Sequence, residues 1–374
     1  MTPVGQEHLP SPDAASSGSD PRPVLFVTNH VPLYRVGAFA ALHASEEVAF
    51  ALIGGAVRHG GGAGGTSAVP FPVATCSQRA VYRLAASGRF RAVVAGLSGR
   101  LAPAAAYRGA RTAGVPFLLW ATLWAHPRTP AHVLSYLPVR HLYRHADAVV
   151  TYGSHVSAYV RGKGARGPVV VAPQSVDNEF WAAPARGRRY ADFQLLFAGR
   201  LEAEKGLETL SEAWHRARLP VAAALLAAGD GPLRDSLEHV GARVLGHTSP
   251  ERLRELYAGS DVVVLPSIRT RSFREPWGLT VNEAFSRGAP VVTTDAVGAA
   301  AGGLVRHEET GLVVPAGDAG ALASAFERLS ADPALRRRLG EQGRIAVRAH
   351  SHAAWSAGMS SALAVVGASR AVVA

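Results

Sequence analysis

The sequence predicts an α/β fold with two Rossmann-like domains whose parallel sheets face each other across a cleft. Short apolar runs alternate with helical patterns in both halves of the chain, and a polar linker near residues 178–192 separates the two halves. At 374 residues, the chain is long enough for two domains that each bury a core of ordinary size.

The N-terminal half begins with residues 1–21, which are rich in Pro, Ser, Gly and Asp, and we expect a disordered tail there. Residues 22–180 are assigned to the first domain. Its strands are expected at 24–28, 92–97, 115–120, 148–152 and 169–172. No G-x-G-x-x-G motif follows the first strand, which disfavours a nicotinamide-dependent dehydrogenase.

The C-terminal half, residues 190–350, repeats the alternation of strand and helix. Its strands are expected at 193–198, 221–228, 243–245, 261–265, 290–294 and 312–314. A last helix within residues 351–374 could pack back on the first domain.

The composition, 48% apolar and 18% charged, is typical of a globular protein. The single cysteine, Cys76, excludes an intrachain disulfide and a cysteine-rich metal site. The chain has neither an apolar run of about 20 residues nor the basic-then-apolar start of a signal peptide. We therefore expect a cytoplasmic protein, with membrane association left open.

Arg200 and Lys205 lie in the turn between the strand 193–198 and a helix that begins near Gly206. Doubly wound sheets bind ligands at this edge, and a helix N-terminus offers free amides and a positive dipole. We therefore expect a phosphate here, with Lys205 as a compact point charge. The alternative is a solvated surface lysine.

Glu275 and Glu283 flank the start of a helix predicted over residues 279–286. Glu283 lies about one turn into that helix, roughly 5–6 Å along its axis. Two such carboxylates can bind hydroxyls at the two ends of one ligand, while the amides between them face its phosphates. A glycosidase-type acid and nucleophile pair is one alternative, and a capping carboxylate beside an ordinary surface glutamate is another.

In this order and spacing, the segments GRLEAEKGLETL, AGDGPLR, REPWGLTVNEAFSRGAPVVTTDAVG and TGLVVPAGD resemble the retaining nucleotide-sugar glycosyltransferases of family 4, which have the GT-B fold. The E-x7-E pair of Glu275 and Glu283 is the signature of that family. The resemblance covers residues 190–345 and extends more faintly into the first half through LYRHADAVVTYGSHVSAYV and VVVAPQSVDNEFW.

The resemblance implies a catalytic role for His126, beside the reacting sugar, and for Arg200 and Lys205, which would hold the donor diphosphate. Glu275, also counted as catalytic, would bind hydroxyls of the donor sugar, and Glu283 would bind those of the ribose. The other implied donor-binding residues are Gly37, Gly246, His247, Gly278, Leu279 and Thr280. Gly37 stands alone where relatives commonly have a glycine pair.

The implied function is that of a hexosyltransferase-type, retaining glycosyltransferase acting on an acceptor held by the first domain. The nucleotide sugar is a co-substrate, and no cofactor is expected. Since the chain has no D-x-D pair, Arg200, Lys205 and helix dipoles are expected to neutralise the leaving group without a metal. Alternatives are a GT-B sugar-nucleotide epimerase or phosphorylase, an inactive nucleotide-sugar-binding scaffold, and a basic nucleic-acid-binding protein. Nucleic acid is not an expected partner, because no nucleic-acid-binding module is recognisable.

The net charge of +11 is concentrated between Arg79 and Arg166, where twelve arginines and one lysine face a single acid, Asp147. This uneven distribution of charge has three possible explanations. The basic residues could lie on solvated helix faces, contact an anionic membrane surface, or bind an anionic acceptor that is lipid-linked or soluble. Residues 130–145 are predicted to form a basic amphipathic helix with Arg140 and Arg144, which favours peripheral membrane contact.

Overall fold

The computed structural model describes residues 20–54 and 69–370, so all but the last two residues of the expected N-terminal tail lie outside the described part. The described residues form two parallel sheets, one of seven strands and one of six. The predicted α/β class with two Rossmann-like units is confirmed.

The N-terminal sheet contains, in chain order, β1 (Val24–Thr28), β2 (Val48–Leu52), β3 (Val73–Thr75), β4 (Ala92–Gly96), β5 (Phe117–Ala121), β6 (Ala148–Thr151) and β7 (Val169–Val171). Their spatial order is β3-β2-β1-β4-β5-β6-β7, and every pairing is parallel. The helices of this half are α1 (Val36–Glu46), α2 (Ala80–Ala85), α3 (Ala102–Ala113), α4 (Pro130–His145), α5 (Ser154–Gly162) and α6 (Asn178–Ala182).

Two strands of this sheet, β2 and β3, were not predicted. Only Glu47 separates α1 from β2, and it ends the helix in the left-handed region with φ of 50°. Because glycine is the usual residue for that conformation, the sequence has no turn signal at this boundary. β3 has three residues and no buried side chain, so it lacks an apolar run. The expected linker also contains the short helix α6, capped by the Asp177 side chain.

The C-terminal sheet contains β8 (Phe193–Ala198), β9 (Ala223–Ala228), β10 (Arg243–Gly246), β11 (Val262–Leu265), β12 (Val291–Thr294) and β13 (Leu312–Val314). Their order is β10-β9-β8-β11-β12-β13, again parallel. The helices are α7 (Leu207–Arg216), α8 (Arg234–His239), α9 (Pro250–Gly259), α10 (Leu279–Ser286), α11 (Gly298–Ala301), α12 (Ala319–Ala331) and α13 (Pro333–Ala346). The predicted strands of this half differ from these by at most two residues at either end.

The last helix, α14 (His352–Ala364), leaves the C-terminal half and packs on α1, β6 and β7 of the N-terminal half. Its Trp355 is fully buried, and its ring lies against those of Phe39 and Trp120 at centroid distances of 5.5 and 5.9 Å. The chain therefore crosses between the two halves twice. None of the described helices combines the length and the hydropathy needed to cross a bilayer.

Each sheet changes direction at one point, where consecutive crossovers run to opposite sides. In the C-terminal sheet this point lies between β8 and β11, and in the N-terminal sheet it lies between β1 and β4. Doubly wound sheets bind ligands in the crevice outside the carboxyl ends of the two strands that meet there. A ligand-binding site is therefore expected at the segments that follow β8 and β11.

Candidate functional site

The carboxylate of Glu275 is held between two side chains that follow β8 and β11. Its Oε2 accepts hydrogen bonds from Nζ of Lys205 at 2.5 Å and from Oγ of Ser267 at 3.0 Å. Its backbone carbonyl accepts from the indole N–H of Trp124 at 2.9 Å and from the amide of Gly298 at 3.1 Å. Since Trp124 belongs to the N-terminal half, Glu275 lies where the two halves meet.

Lys205 reaches Glu275 because its turn passes very close to the end of β11. The turn ends at Gly206, which has φ of +73°. A Cβ on Gly206 would lie 2.0 Å from the carbonyl oxygen of Pro266, so any larger residue would push the turn away. The amide of Ile268 also donates to the carbonyl of Glu204 at 3.0 Å. Both contacts fix Lys205 beside Ser267.

Arg200 lies at the other end of the same turn and is exposed. It pairs with Glu202, and its Nη2 lies 3.4 Å from Oε1 of Glu204. Both partners are carboxylates of the same turn, so the guanidinium is held in ion pairs within that turn. A bound anion would have to draw Arg200 from its present partners.

The N-terminus of α10 lies between the ends of β8 and β11. Gly278 precedes the helix with φ of +94°, and a Cβ there would come 2.5 Å from Cδ2 of Leu265. Oγ1 of Thr280 donates to the carbonyl of Ala198, the last residue of β8, at 3.0 Å. Gly278, Leu279 and Thr280 thus bring the helix N-terminus, with its free amides and positive dipole, to the point where the sheet reverses.

Glu283 lies one turn further along α10 and is half-buried. Its Oε2 accepts a hydrogen bond from the hydroxyl of Tyr257, on α9, at 2.7 Å. Desolvation raises the pKa of Glu283 to about 7, and the bond from Tyr257 opposes this rise. Burial, followed by the nearby Glu283 carboxylate, raises the pKa of Tyr257 well above its ordinary value. Glu283 therefore changes its charge near neutral pH.

Gly246 ends β10, the edge strand that β9 separates from β8, and His247 follows it. Gly246 has φ of +68°, and the His247 side chain is exposed. These two residues are on the same side of the sheet as the Lys205 cluster, because the carboxyl ends of parallel strands share one edge. They lie two strands away from it.

Gly37 and His126 belong to the N-terminal half. Gly37 lies in the first turn of α1, where a Cβ would come 2.3 Å from Nδ1 of His352, so a larger residue would displace the His352 ring of α14. His126 follows β5, and its Nε2 lies 2.5 Å from the carbonyl oxygen of His132. His126 also lines a cavity of about 700 Å³ that reaches Pro276, next to Glu275.

Sequence reasoning missed three residues of this site: Trp124, Tyr257 and Ser267. Ser267 follows a buried strand almost directly, and a polar residue at that position is a signal that could have been used. The roles of Trp124 and Tyr257 depend on contacts between elements distant in the chain, and no local pattern marks them.

Residues 183–346 match the family described as Glycosyl transferases group 1. The lipopolysaccharide core biosynthesis glycosyltransferase LpsE of Rhizobium meliloti is 39% identical over 152 residues, covering 39% of this chain and 42% of the relative. The alpha-D-kanosaminyltransferase of Streptomyces kanamyceticus is 34% identical over 179 residues, covering 45% of each. The chain spans less than half the length of these curated relatives.

Solved structures match over nearly the whole chain. HepE of Anabaena in complex with UDP has a TM-score of 0.72 at 16% identity, covering 91% of this chain and 99% of that one. Sucrose-phosphate synthase from Thermosynechococcus elongatus has a TM-score of 0.68 at 19% identity, covering 91% and 98%. Residues 183–346 are therefore similar to the glycosyl transferases group 1 family, in a chain that has the GT-B fold.

Proposed function

We propose that this protein is a retaining glycosyltransferase of family 4 that transfers a sugar from a nucleoside diphosphate donor to an acceptor hydroxyl. The observation that carries the proposal is the cluster of Lys205, Ser267 and Glu275 at the reversal point of the C-terminal sheet, beside the N-terminus of α10. A cation and free amides suit a diphosphate, and a positioned carboxylate suits sugar hydroxyls.

In the transfer, the bond between the anomeric carbon and the diphosphate oxygen breaks, and that oxygen keeps the electron pair. The acceptor oxygen bonds to the same face of the carbon, and its proton passes to the departing phosphate oxygen. Lys205, Arg200 and the amides of Gly278, Leu279 and Thr280 stabilise the developing negative charge. We assign to His126, across the cleft, a position beside the transferred sugar.

We assign the nucleoside part of the donor to the same edge of the C-terminal sheet. Glu283 accepts from the ribose hydroxyls, with Tyr257 orienting its carboxylate. The base lies toward Gly246 and His247. Support for a nucleotide donor comes from HepE, whose structures contain UDP, and UDP with glucose.

We propose no metal in this reaction, so turnover should persist in excess EDTA. A loss of turnover that Mg²⁺ or Mn²⁺ restores would contradict this.

The test is a thermal-shift screen with UDP-, GDP-, ADP- and TDP-sugars, followed by an assay of nucleoside diphosphate release. We expect one donor to raise the melting temperature of the wild type and to do so less for Lys205→Met. Release that depends on acceptor supports transfer. An epimerised donor, or release that depends on inorganic phosphate, would favour the epimerase or phosphorylase instead. Stabilisation by none of the four would remove the donor assignment.

A second proposal concerns location, and α4 supports it. Its Val133, Leu134 and Leu137 are 64, 82 and 68% exposed, although they are apolar, and Arg140 follows on the same face. An apolar strip beside basic residues suits the interface of an anionic bilayer. We therefore place the N-terminal domain in reversible contact with anionic membranes through α4.

A further inference from the structure

The cavity that His126 lines has a basic wall. Its volume is about 700 Å³, and none of the described residues that line it carries a carboxylate. The cations that line it are Arg128, Lys163, Arg269, Arg271 and Arg274. They come from both halves of the protein, so the cavity lies between the two domains.

Two of these cations already have partners. Nη2 of Arg269 lies 2.6 Å from Oδ2 of Asp295. The guanidinium of Arg274 stacks on Trp124, 3.4 Å from the ring centroid. We name the other three cations, Arg128, Lys163 and Arg271, the cleft triad.

The cleft triad has no carboxylate partner in the described part of the chain. Nζ of Lys163 instead lies over the rings of Tyr136 and Tyr159, at 5.0 and 5.3 Å. The amide of Arg128 donates to the carbonyl of Arg271 at 2.8 Å, which joins loops of the two domains and holds both guanidinium-bearing residues at one opening. Like charges gathered in a concave site without a counterion raise the local concentration of anions.

The cavity is lined by chain neighbours of Glu275 and not by the residues assigned to the donor diphosphate and ribose. Arg274 and Pro276 line it and flank Glu275 in the chain, whereas Arg200, Lys205 and Glu283 do not line it. A ligand here would therefore lie beside Glu275 and the transferred sugar but outside the residues assigned to the diphosphate and the ribose, where an acceptor must bind.

We propose that the acceptor carries a phosphate or diphosphate group, which the cleft triad binds while the acceptor hydroxyl faces the donor sugar. This inference rests on the proposed function, since it assigns the acceptor of that reaction. Guanidinium and ammonium groups bind phosphate oxygens through charge-assisted hydrogen bonds. The shared chemistry is a phosphate ester, and it can come from a soluble sugar phosphate or from a lipid-linked phosphate.

The test is isothermal titration of the full chain with inorganic pyrophosphate in three variants. In Lys205→Met, which lacks the donor-side cation, we expect binding in the cavity to remain. In the triple variant Arg128→Gln, Lys163→Gln, Arg271→Gln on that background, we expect affinity at least about tenfold weaker. The matched control, Arg161→Gln with Arg166→Gln, removes exposed cations of the same domain that do not line the cavity. Equal affinity in the triple variant and its parent, or no binding to Lys205→Met, would overturn the proposal.

Two competition arms identify the source of the phosphate. Displacement of pyrophosphate by glucose 6-phosphate indicates a soluble acceptor, and displacement only by vesicles containing a polyprenyl phosphate, compared with plain phosphatidylcholine vesicles, indicates a lipid-linked one. Displacement by neither would overturn the assignment of a phosphorylated acceptor. Nucleotide-sugar binding by the wild type is measured separately, so failure of the donor assignment is distinguishable from failure of the cavity.

Discussion

Nζ of Lys205 lies 2.5 Å from Oε2 of Glu275, although 70 residues separate them in the chain. Both side chains are largely buried, with 13% and 9% of their surfaces exposed. The ion pair therefore joins the turn after β8 to the loop before α10. In the proposed reaction, the donor would bind with its diphosphate at the cation and its sugar at the carboxylate.

Lys205→Met should lower turnover at least tenfold, because the cation that faces the leaving diphosphate is lost. It should also lower the free energy of unfolding by about 1–3 kcal/mol, because Ser267 is then the one side-chain donor that Glu275 keeps among the described residues. Steady-state kinetics and thermal unfolding measure the two effects. Arg216→Met, which breaks an exposed ion pair on α7, is the control and should change neither. Turnover within about threefold of wild type would remove Lys205 from the site.

Ser267→Ala should reduce kcat/KM about threefold to tenfold while leaving the affinity for the nucleoside diphosphate unchanged. The buried hydroxyl of Ser267 orients the carboxylate that is assigned to the sugar, and the proposal gives it no contact with the nucleoside. Thr293→Val is the matched control, since it removes a buried hydroxyl that bonds the carbonyl of Leu265 instead. Equal losses in the two variants would indicate a general packing effect.

Glu283→Gln should remove a pH dependence of stability. The pKa of Glu283 is about 7 in the folded protein against an ordinary value of 4.5. Between those values the unfolded chain releases the proton while the folded protein retains it, so the free energy of unfolding falls as pH rises, by up to about 3 kcal/mol. Denaturant unfolding from pH 4.5 to 8 should show this fall in the wild type and a smaller one in the variant.

The same group should affect nucleotide binding in the opposite direction. The carboxylate form accepts ribose hydroxyl bonds better than the acid form, so affinity for the nucleoside diphosphate should improve from pH 6 to 8 in the wild type. Glu283→Gln should bind more weakly and lack this part of the pH response, and titration of the nucleotide cancels in the comparison. Identical pH profiles would show that Glu283 does not contact the ligand.

Variants of α4 test the membrane proposal. In a sedimentation assay, the wild type should pellet with anionic vesicles at low salt and stay in the supernatant at high salt. Little protein should pellet with neutral vesicles. Leu134→Ser with Leu137→Ser, and separately Arg140→Glu with Arg144→Glu, should each reduce binding. The control is Val221→Ser, which removes a fully exposed apolar side chain from the C-terminal half. Equal, negligible binding to both vesicle types would exclude this surface as a docking site.

The sequence by itself determined the class of fold and most of the elements. Strands buried on both faces, such as β1, β8 and β11, appear in the sequence as continuous apolar runs. The start of α10 is marked by Gly278, whose positive φ favours glycine. The sequence also placed Lys205 in a turn after a strand and Glu275 before a helix. The positions of strands, helices and turns depend on residues that are close in the chain, so the local pattern of apolar and polar residues is enough to predict them.

The tertiary structure decided which of these residues meet. The order of the strands brings β8 beside β11, and only that pairing places Lys205 against Glu275 and adds Ser267. The bond from Tyr257 to Glu283 and the contact of the cleft triad across the two domains likewise join distant segments. Apolar periodicity specifies which face of an element is buried but not its neighbour, because burial is non-directional and many partners could cover the same face.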